Sequence, residues 1–200
     1  GLGIAVTLVV SGGLQTLSTD ISDALGGVEV QTRFAEALAD LGFAVLDFAG
    51  DAGPFSGGTV VDLPGIGEVL QIAGEDTAEA SFDLPPGTTE ATVEFDLFGL
   101  DTLNNEEATI TVNGAVAGQV FVDNGVATFV PVNGGSSTFQ AFTVSDGSDL
   151  TGNGFDDSHT QVRLTVANPG DTLDVGVFSG AQAGIDNESF AIDNVHVSAN

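Results

Sequence analysis

From residue 59 onward the chain is built of short runs in which apolar and polar residues alternate. In Ala91–Phe98, the side chains of Val93, Phe95 and Leu97 point to one side, and the residues between them are polar. Alternation with a period of two is typical of a β-strand that buries one face. The runs of this kind are TVVDL, EVLQIA, EASFDL, ATVEFDLF, ATITVNG, GQVFVD, VATFVPV, STFQAFTV, QVRLTVA, TLDVGVF and SFAIDNVHV.

Glycine, proline and asparagine separate these runs. The turn sequences are Pro85–Gly87, Asn113–Gly114, Asn124–Gly125, Asn133–Gly135 and Asn168–Gly170. Each can reverse the chain, because Gly and Asn tolerate positive φ angles and Pro fixes φ at a turn position. No helical crossover separates the strands. The sequence therefore predicts an all-β fold, an antiparallel two-sheet sandwich of jelly-roll type, over residues 51–200.

The first fifty residues differ in character. Residues 1–17, GLGIAVTLVVSGGLQTL, carry no charge and are almost wholly apolar. A short amphipathic helix is predicted after Thr32, which can cap it, and before Gly42, which can end it. Its apolar stripe consists of Phe34, Ala37, Leu38 and Leu41. A strand is expected at Phe43–Phe48. We interpret residues 1–50 as a segment for assembly or packing, separate from the sandwich.

The charge balance is extreme: the chain has 29 acidic residues, two arginines and no lysine, and its net charge is −27. Such a surface has almost no cation to pair with phosphate, which excludes nucleic acid and anionic membrane surfaces as partners. The repulsion between acids can be screened by salt alone or by bound cations, and charge by itself leaves both alternatives open. The lack of cysteine excludes disulfides and thiolate metal sites. These features are compatible with a secreted protein or a bacterial cell surface.

Candidate catalytic residues are few. No cysteine and no GxSxG motif is present, and the histidines are His159 and His196. His196 falls on the solvent side of an alternating strand, and His159 lies in the polar run DDSHTQ, where we expect the end of a loop. Pairs of carboxylates could serve glycoside hydrolysis. However, the chain has no Trp or Tyr on which glycosidases and lectins commonly stack sugars. The sequence predicts a protein that is not an enzyme.

A site for a hard cation is the stronger candidate, since Ca²⁺ takes six to eight oxygen ligands. Two acid-rich segments, residues 101–107 and 184–189, could supply them, the first as a loop between two strands. Asp193 lies inside the last strand between apolar residues, which favours a paired or coordinated carboxylate over a solvated one. A looser Gly/Asp-rich segment spans residues 146–157. The predicted calcium ligands are Asp101, Asn105, Glu106, Asp186, Glu188 and Asp193.

The runs VEFDLFGLDTLNNEEATITVNG and IDNESFAIDNVHV resemble a pattern of secreted bacterial jelly-roll modules over roughly residues 75–197. In those modules a strand of the kind FDFYRLDSWD precedes VYVNG, and the domain closes on DESWGIDNV. The resemblance implies a calcium ion bound by Asp101, Glu188 and Asp193. Modules of this kind occur in adhesins, in surface proteins and as carbohydrate-binding modules. This chain has Leu103 and Phe190 where the pattern has Trp, which puts a sugar-stacking role there in doubt.

The segment GLGIAVTLVVSGGLQTLSTDISDAL resembles the apolar helix of small type IV pilins of the Tad/Flp class, in which GLIAA…IAVAII…LTTLGTNLS is typical. The Glu-Tyr pair that usually precedes that helix is missing. The same residues are compatible with a strand donated to a neighbouring subunit, or with a first strand of the sandwich itself.

Two functional hypotheses follow from the sequence. The leading one is an extracellular structural or adhesive protein, a subunit of a filament or pilus that self-associates through residues 1–17 and presents a calcium-stabilised sandwich to the medium. The alternative is a calcium-dependent carbohydrate-binding module of a larger secreted enzyme or adhesin, with a glycan as its ligand.

Overall fold

A computed structural model describes residues 43–132, 135–184 and 187–200. Within them lie twelve strands: β1 (Phe43–Leu46), β2 (Thr59–Leu63), β3 (Gly67–Ala73), β4 (Thr77–Asp83), β5 (Glu90–Asp101), β6 (Asn104–Val112), β7 (Ala115–Asp123), β8 (Val126–Pro131), β9 (Ser137–Ser148), β10 (Asp157–Ala167), β11 (Thr172–Ser179) and β12 (Glu188–Ala199). Every predicted strand is present. The predicted helix and residues 1–17 lie outside the described residues, so the division at residue 50 stays a prediction.

The strands form two antiparallel sheets. Sheet A has the order β2-β3-β12-β5-β10-β9, with β1 also paired to β12, and sheet B has the order β4-β11-β6-β7-β8. Consecutive strands often lie in different sheets, as in a jelly roll. The predicted two-sheet sandwich is confirmed. In the described ranges, no helix has the length and apolar character needed to cross a bilayer.

The core lies between the inner faces of the two sheets. Every second side chain along β5, β10 and β11 is almost completely buried there. Most of these side chains are Val, Leu, Ile or Phe, which stabilise the fold by removing apolar surface from water and packing closely. One close approach fixes how β7 meets β9: a Cβ on Gly118 would lie 2.4 Å from the ring of Phe139. The absence of a side chain at Gly118 therefore makes room for Phe139.

Two of the predicted turns set the register of sheet B. Asn113 and Gly114 have φ angles of 49° and 74°, and Asn124 and Gly125 have φ angles of 47° and 73°. Positive φ at both central residues matches a two-residue hairpin of type I′, whose twist suits the flanking strands. These turns join β6 to β7 and β7 to β8, as the sequence predicts.

The outer face of sheet A is divided into a covered part and an open part. Val69, Phe98, Leu100 and Ala191 form a second, smaller apolar cluster, against which pack Leu63 at the end of β2 and Ile66 and Leu150 from two loops. The remaining outer face is mixed, with polar residues and the exposed apolar side chains of Val45 and Phe142. Its cross-strand pairs include Arg163 with Glu94, whose charged atoms are 3.3 Å apart.

The basic side chains of the described residues share this face. His159 and Arg163 lie on β10, and His196 lies on β12, all on the outer side of sheet A. His196 is exposed, as the alternation predicts. The prediction for His159 was wrong: it lies within β10 and stacks on Phe98, with ring centroids 4.5 Å apart. Its polar neighbours in sequence hid this, because the apolar partner comes from a distant strand.

Candidate functional site

A groove of about 460 Å³ lies on the outer face of sheet B. We call it the glycine groove. Its lining consists of Pro54, Ser56, Glu79, Ala80, Ser81, Thr111, Gly114, Asp174, Val175 and Gly176. The volume is in the range of small-ligand sites. Most of the lining belongs to three neighbouring strands, so the groove has a rigid base.

The floor of the groove is Gly176 in β11. Its cross-strand neighbours are Glu79 on β4 and Thr111 on β6. A Cβ on Gly176 would lie 2.5 Å from Thr111 Oγ1 and 3.7 Å from Glu79 Oε1. A glycine inside a strand commonly marks a place where another group approaches the backbone closely. Here the Thr111 hydroxyl and the Glu79 side chain approach the Gly176 backbone closely and occupy the space that a side chain would take.

One wall of the groove is the segment Pro54–Ser56, which is fixed at two points. Ser56 forms a bridge to the edge of β4, with Ser56 N donating to Glu79 O at 2.7 Å and Glu79 N donating to Ser56 O at 2.8 Å. Phe55 points into the core, where its ring lies 5.8 Å from that of Phe48 and 6.3 Å from that of Phe82. The wall is therefore held by the same packing that holds the fold.

The backbone at Asp174 is held by Asn113. Asp174 N donates to Asn113 Oδ1 at 2.9 Å, and Asn113 N donates to Asp174 O at 2.8 Å. The side chains of Asp174 and Glu79 are exposed. Within the part of the chain that the structure describes, neither carboxylate has a hydrogen-bond donor or an ion pair of its own. The groove thus offers free acceptor oxygens on a rigid support.

The chemistry of the lining follows from its side chains. It contains two carboxylates, the hydroxyls of Ser56, Ser81 and Thr111, and no basic group. Carboxylates accept hydrogen bonds only, whereas hydroxyls both donate and accept. Such a lining suits a ligand rich in hydroxyl or amino groups.

The predicted cation ligands lie at a different place, at the end of sheet A. Asp101 and Glu188 are cross-strand partners on β5 and β12. The expected loop 101–107 is mostly strand, since β5 ends at Asp101 and β6 begins at Asn104. Asp101 and Asn105 adopt left-handed φ angles of 67° and 63°, which sharply bend the chain between the two strands.

The side chains of these residues are partly engaged. Asp101 accepts a hydrogen bond from Asn153 Nδ2, and Glu106, which is buried, accepts one from the backbone of Asn104. Glu188 Oε1 accepts a hydrogen bond from Thr102 Oγ1 at 3.3 Å. Burial, and then the charges of nearby carboxylates, raise the pKa of Asp101 above its ordinary value.

Asp157, from the Gly/Asp-rich segment 146–157, lies at the same end of sheet A. It is fully buried, and its carboxylate accepts hydrogen bonds from Asp101 N at 2.8 Å, Leu150 N at 2.9 Å and Thr151 N at 3.1 Å. Asp149 likewise accepts from two backbone N–H groups of the same loop. In the Gly/Asp-rich segment 146–157, these acids organise the loop by hydrogen bonding.

Asp193 lies apart from the other predicted ligands, opposite Asp96 on β5. It stands where the pairing of β12 with β3 gives way to that with β1, beside a bulge in which Asn194 has a φ angle of 51°. Its Oδ1 is buried and has no hydrogen-bond partner among the described residues. Burial, followed by the charges of Asp96 and Asp47, raises the pKa of Asp193.

The predicted ligands are therefore not all gathered at one point. Asp101 and Glu188 are together, Asp193 is further along β12, and the described residues include no group of three His, Cys, Asp or Glu side chains that could hold a metal ion. Asp186 lies outside the described residues. The calcium site of six residues stays a prediction.

The glycine groove also escaped the sequence prediction. Its carboxylates stand on alternating strands that read as ordinary solvent-facing positions. The one signal available was Gly176 in the middle of the run TLDVGVF, where a strand-forming residue is expected.

No protein-family model and no curated protein matches this sequence. Among solved structures, the chain is similar to a family 35 carbohydrate-binding module from an environmental isolate, with 14% identity, a TM-score of 0.43 and an alignment that covers 78% of this chain and 93% of that one. A family 35 module from Cellvibrio japonicus has 12% identity, a TM-score of 0.41 and coverage of 78% and 91%. A carbohydrate-binding module that recognises mannan has 12% identity, a TM-score of 0.40 and coverage of 79% and 98%. Likenesses at this level concern the fold alone.

Proposed function

We propose that this protein is a non-catalytic extracellular module that binds a polysaccharide in the glycine groove. The observation that carries the proposal is the groove of about 460 Å³ at Gly176, which the Glu79 and Asp174 carboxylates and the Thr111 hydroxyl line on a rigid sheet. A sugar presents many hydroxyl groups, and carboxylates are strong acceptors for them. Because strands and a core-anchored wall position these acceptors, little ordering is required when a ligand binds.

The same face of β11 offers an apolar contact for a sugar ring. Phe178 is half-buried and lies two residues along the strand from Gly176, so both point to the outer side of sheet B. The row across the sheet at Phe178 continues through Thr109 to Gln119, whose amide donates to Thr109 Oγ1 at 3.0 Å. A polysaccharide that leaves the groove in this direction meets one aromatic face and further polar groups.

Binding without catalysis is favoured by the setting of the two carboxylates. A glycosidase needs two carboxyl groups in different environments, one of which is buried enough to act as an acid. Glu79 and Asp174 are both exposed. We therefore expect retention of a polysaccharide and no release of reducing ends.

The test is affinity electrophoresis in gels that contain one polysaccharide each. Gly176→Val, which fills the floor, and Glu79→Gln, which keeps the size of the side chain, are expected to abolish or weaken retardation of the protein. Glu68→Gln removes an exposed carboxylate from β3 in sheet A and serves as the matched control. Retardation that is unchanged in both groove variants, or lost equally in the control, would overturn the proposal.

Calcium enters this proposal as a stabilising ion for the end of sheet A. The support for it is the cross-strand placement of Asp101 and Glu188, with no basic side chain in that part of the described structure. The filament hypothesis depends on residues 1–17, which lie outside the described residues, and no observation on the described sandwich favours it. Self-association stays a prediction that sedimentation of the intact chain would test.

A further inference from the structure

We infer that the polysaccharide held in the glycine groove carries free amino groups, as a polymer of de-N-acetylated glucosamine does. The inference rests on the proposed function and adds the charge of the ligand. It is based on the two groove carboxylates, the absence of a base in the lining, and the position of the basic side chains elsewhere in the fold.

The two carboxylates lie on neighbouring strands. Asp174 is the cross-strand partner of Ser81, and Glu79 stands two residues from Ser81 on the same face of β4. Diagonal neighbours of this kind are roughly 7 Å apart along the sheet. Glu79 and Asp174 can therefore contact one sugar unit, or two adjoining units, from the same side.

Among the described residues, no basic side chain balances these two charges. The lining of the groove contains none. The basic side chains that the structure describes are His159, Arg163 and His196, which lie on the outer face of sheet A, on the far side of the core. There, His159 and Arg163 already have carboxylates of β5 as partners.

This arrangement separates three classes of sugar polymer. A uronic acid polymer would bring further carboxylates against Glu79 and Asp174, and like charges at such a site repel. A neutral polymer can donate hydroxyl hydrogen bonds but leaves both charges uncompensated as water is displaced. An ammonium group satisfies charge and hydrogen bonding together, and charge-assisted hydrogen bonds are about twice as strong as neutral ones.

Non-specific attraction must be separated from binding in the groove, because a protein with a net charge of −27 attracts any polycation. The site predicts a loss on mutation that depends on position. Glu79→Gln with Asp174→Asn removes two charges from the groove. Glu68→Gln with Asp62→Asn removes two exposed charges from neighbouring strands of sheet A. Both double variants change the net charge equally and keep side-chain size.

The experiment is calorimetric titration with oligomers of one length: glucosamine, N-acetylglucosamine and a uronic acid. We expect the glucosamine oligomer to bind roughly tenfold more tightly than the N-acetylated one, with no binding of the uronic acid. The groove double variant should lose most of that preference, and the sheet A double variant should keep it at 0.15 M salt.

The outcomes distinguish a failure of the amino-group inference from a failure of the proposed function. Equal affinity for the amino and N-acetylated oligomers, with binding that Gly176→Val still abolishes, would overturn the inference and leave the proposed function standing. Equal losses in the two double variants would also overturn it, since the preference would then be general attraction. Failure of every oligomer and every polysaccharide to bind would overturn the proposed function itself.

Discussion

Asp193 and Asp96 are direct cross-strand partners on β12 and β5, yet their surroundings shift their pKa values in opposite directions. Burial raises the pKa of Asp193, and the hydrogen bond from the Asn194 backbone only partly offsets it. Burial also acts to raise the pKa of Asp96, but hydrogen bonding to His159 and Asn194 and the charges of the histidines outweigh it and lower the pKa overall. His159 Nε2 lies 3.0 Å from Asp96 Oδ1, and Asn194 Nδ2 lies 2.8 Å from Asp96 Oδ2.

Asp193→Asn should stabilise the protein in calcium-free buffer at neutral pH. The raised pKa means that the folded state disfavours the ionised carboxylate, so wild-type stability is greatest below the ordinary value of 3.8 and falls as pH rises through the folded pKa. We expect a gain of a few degrees in melting temperature at pH 7 that shrinks toward pH 4. Asp62→Asn, an exposed control, should show no such trend. A lower melting temperature for Asp193→Asn at pH 7 in this buffer would contradict the prediction.

Asp96→Asn should have the opposite effect. A lowered pKa gives stability that is present above 3.8 and is lost as pH falls through the folded pKa. Removing the charge should cost about 1 kcal/mol at pH 7, a figure kept small because His159 and Asp96 are partly solvated. Urea denaturation at pH 7 and at a pH well below 3.8 measures it. An equal loss at both values would show that charge is not the cause.

Asp157→Asn should destabilise the end of sheet A by about 2–4 kcal/mol. The buried carboxylate accepts three backbone N–H groups, and an amide cannot accept at both positions, so at least one buried donor loses its partner. Asp156→Asn is the matched control, because Asp156 is the exposed neighbour in sequence. Equal denaturation midpoints for the two variants would contradict the assignment.

Chelation should lower the melting temperature by several degrees relative to millimolar Ca²⁺, because a ligand bound only to the native state stabilises it. Asp101→Asn combined with Glu188→Gln should reduce this difference, and Asp62→Asn should not. Identical melting curves in chelator and in calcium would remove the ion from the proposal.

Gly118→Ala should destabilise the sandwich by about 1–3 kcal/mol, the usual effect of overpacking a core. The added Cβ would lie 2.4 Å from the Phe139 ring. Gly184→Ala adds the same atom where nothing lies within 4 Å, and it should be neutral. The combination of Gly118→Ala with Phe139→Leu should recover part of the loss, since the smaller side chain frees the space.

The fold was predictable because each strand has a local sequence pattern that identifies it. In β5, apolar and polar residues alternate, and at Asn113–Gly114 and Asn124–Gly125 the side chains permit positive φ angles that a tight hairpin requires. The residues that misled the prediction are those whose partners are distant in sequence. The sequence around His159 is typical of a polar loop, whereas in the structure its ring stacks on Phe98 of β5.

The groove could not be predicted in the same way. Glu79, Thr111 and Gly176 come from three strands, and only their register brings them together. The composition of the acid-rich segments instead led to the prediction of a cation site there. In the structure, Asp157 is fully occupied by backbone donors, so an acid-rich stretch alone does not reveal which oxygens are free for a ligand.

The basic side chains that the structure describes all lie on the outer face of sheet A, so the outer face of sheet B has acidic groups and no described base to offset them. Near a cationic polymer or mineral, sheet B should turn toward the surface and sheet A toward the medium, and the torque should weaken as salt shortens the range of the field. Molecules that approach in many attitudes would thus arrive with the glycine groove already facing the surface. The scarcity of basic residues would then orient the protein as it docks, in addition to keeping it soluble.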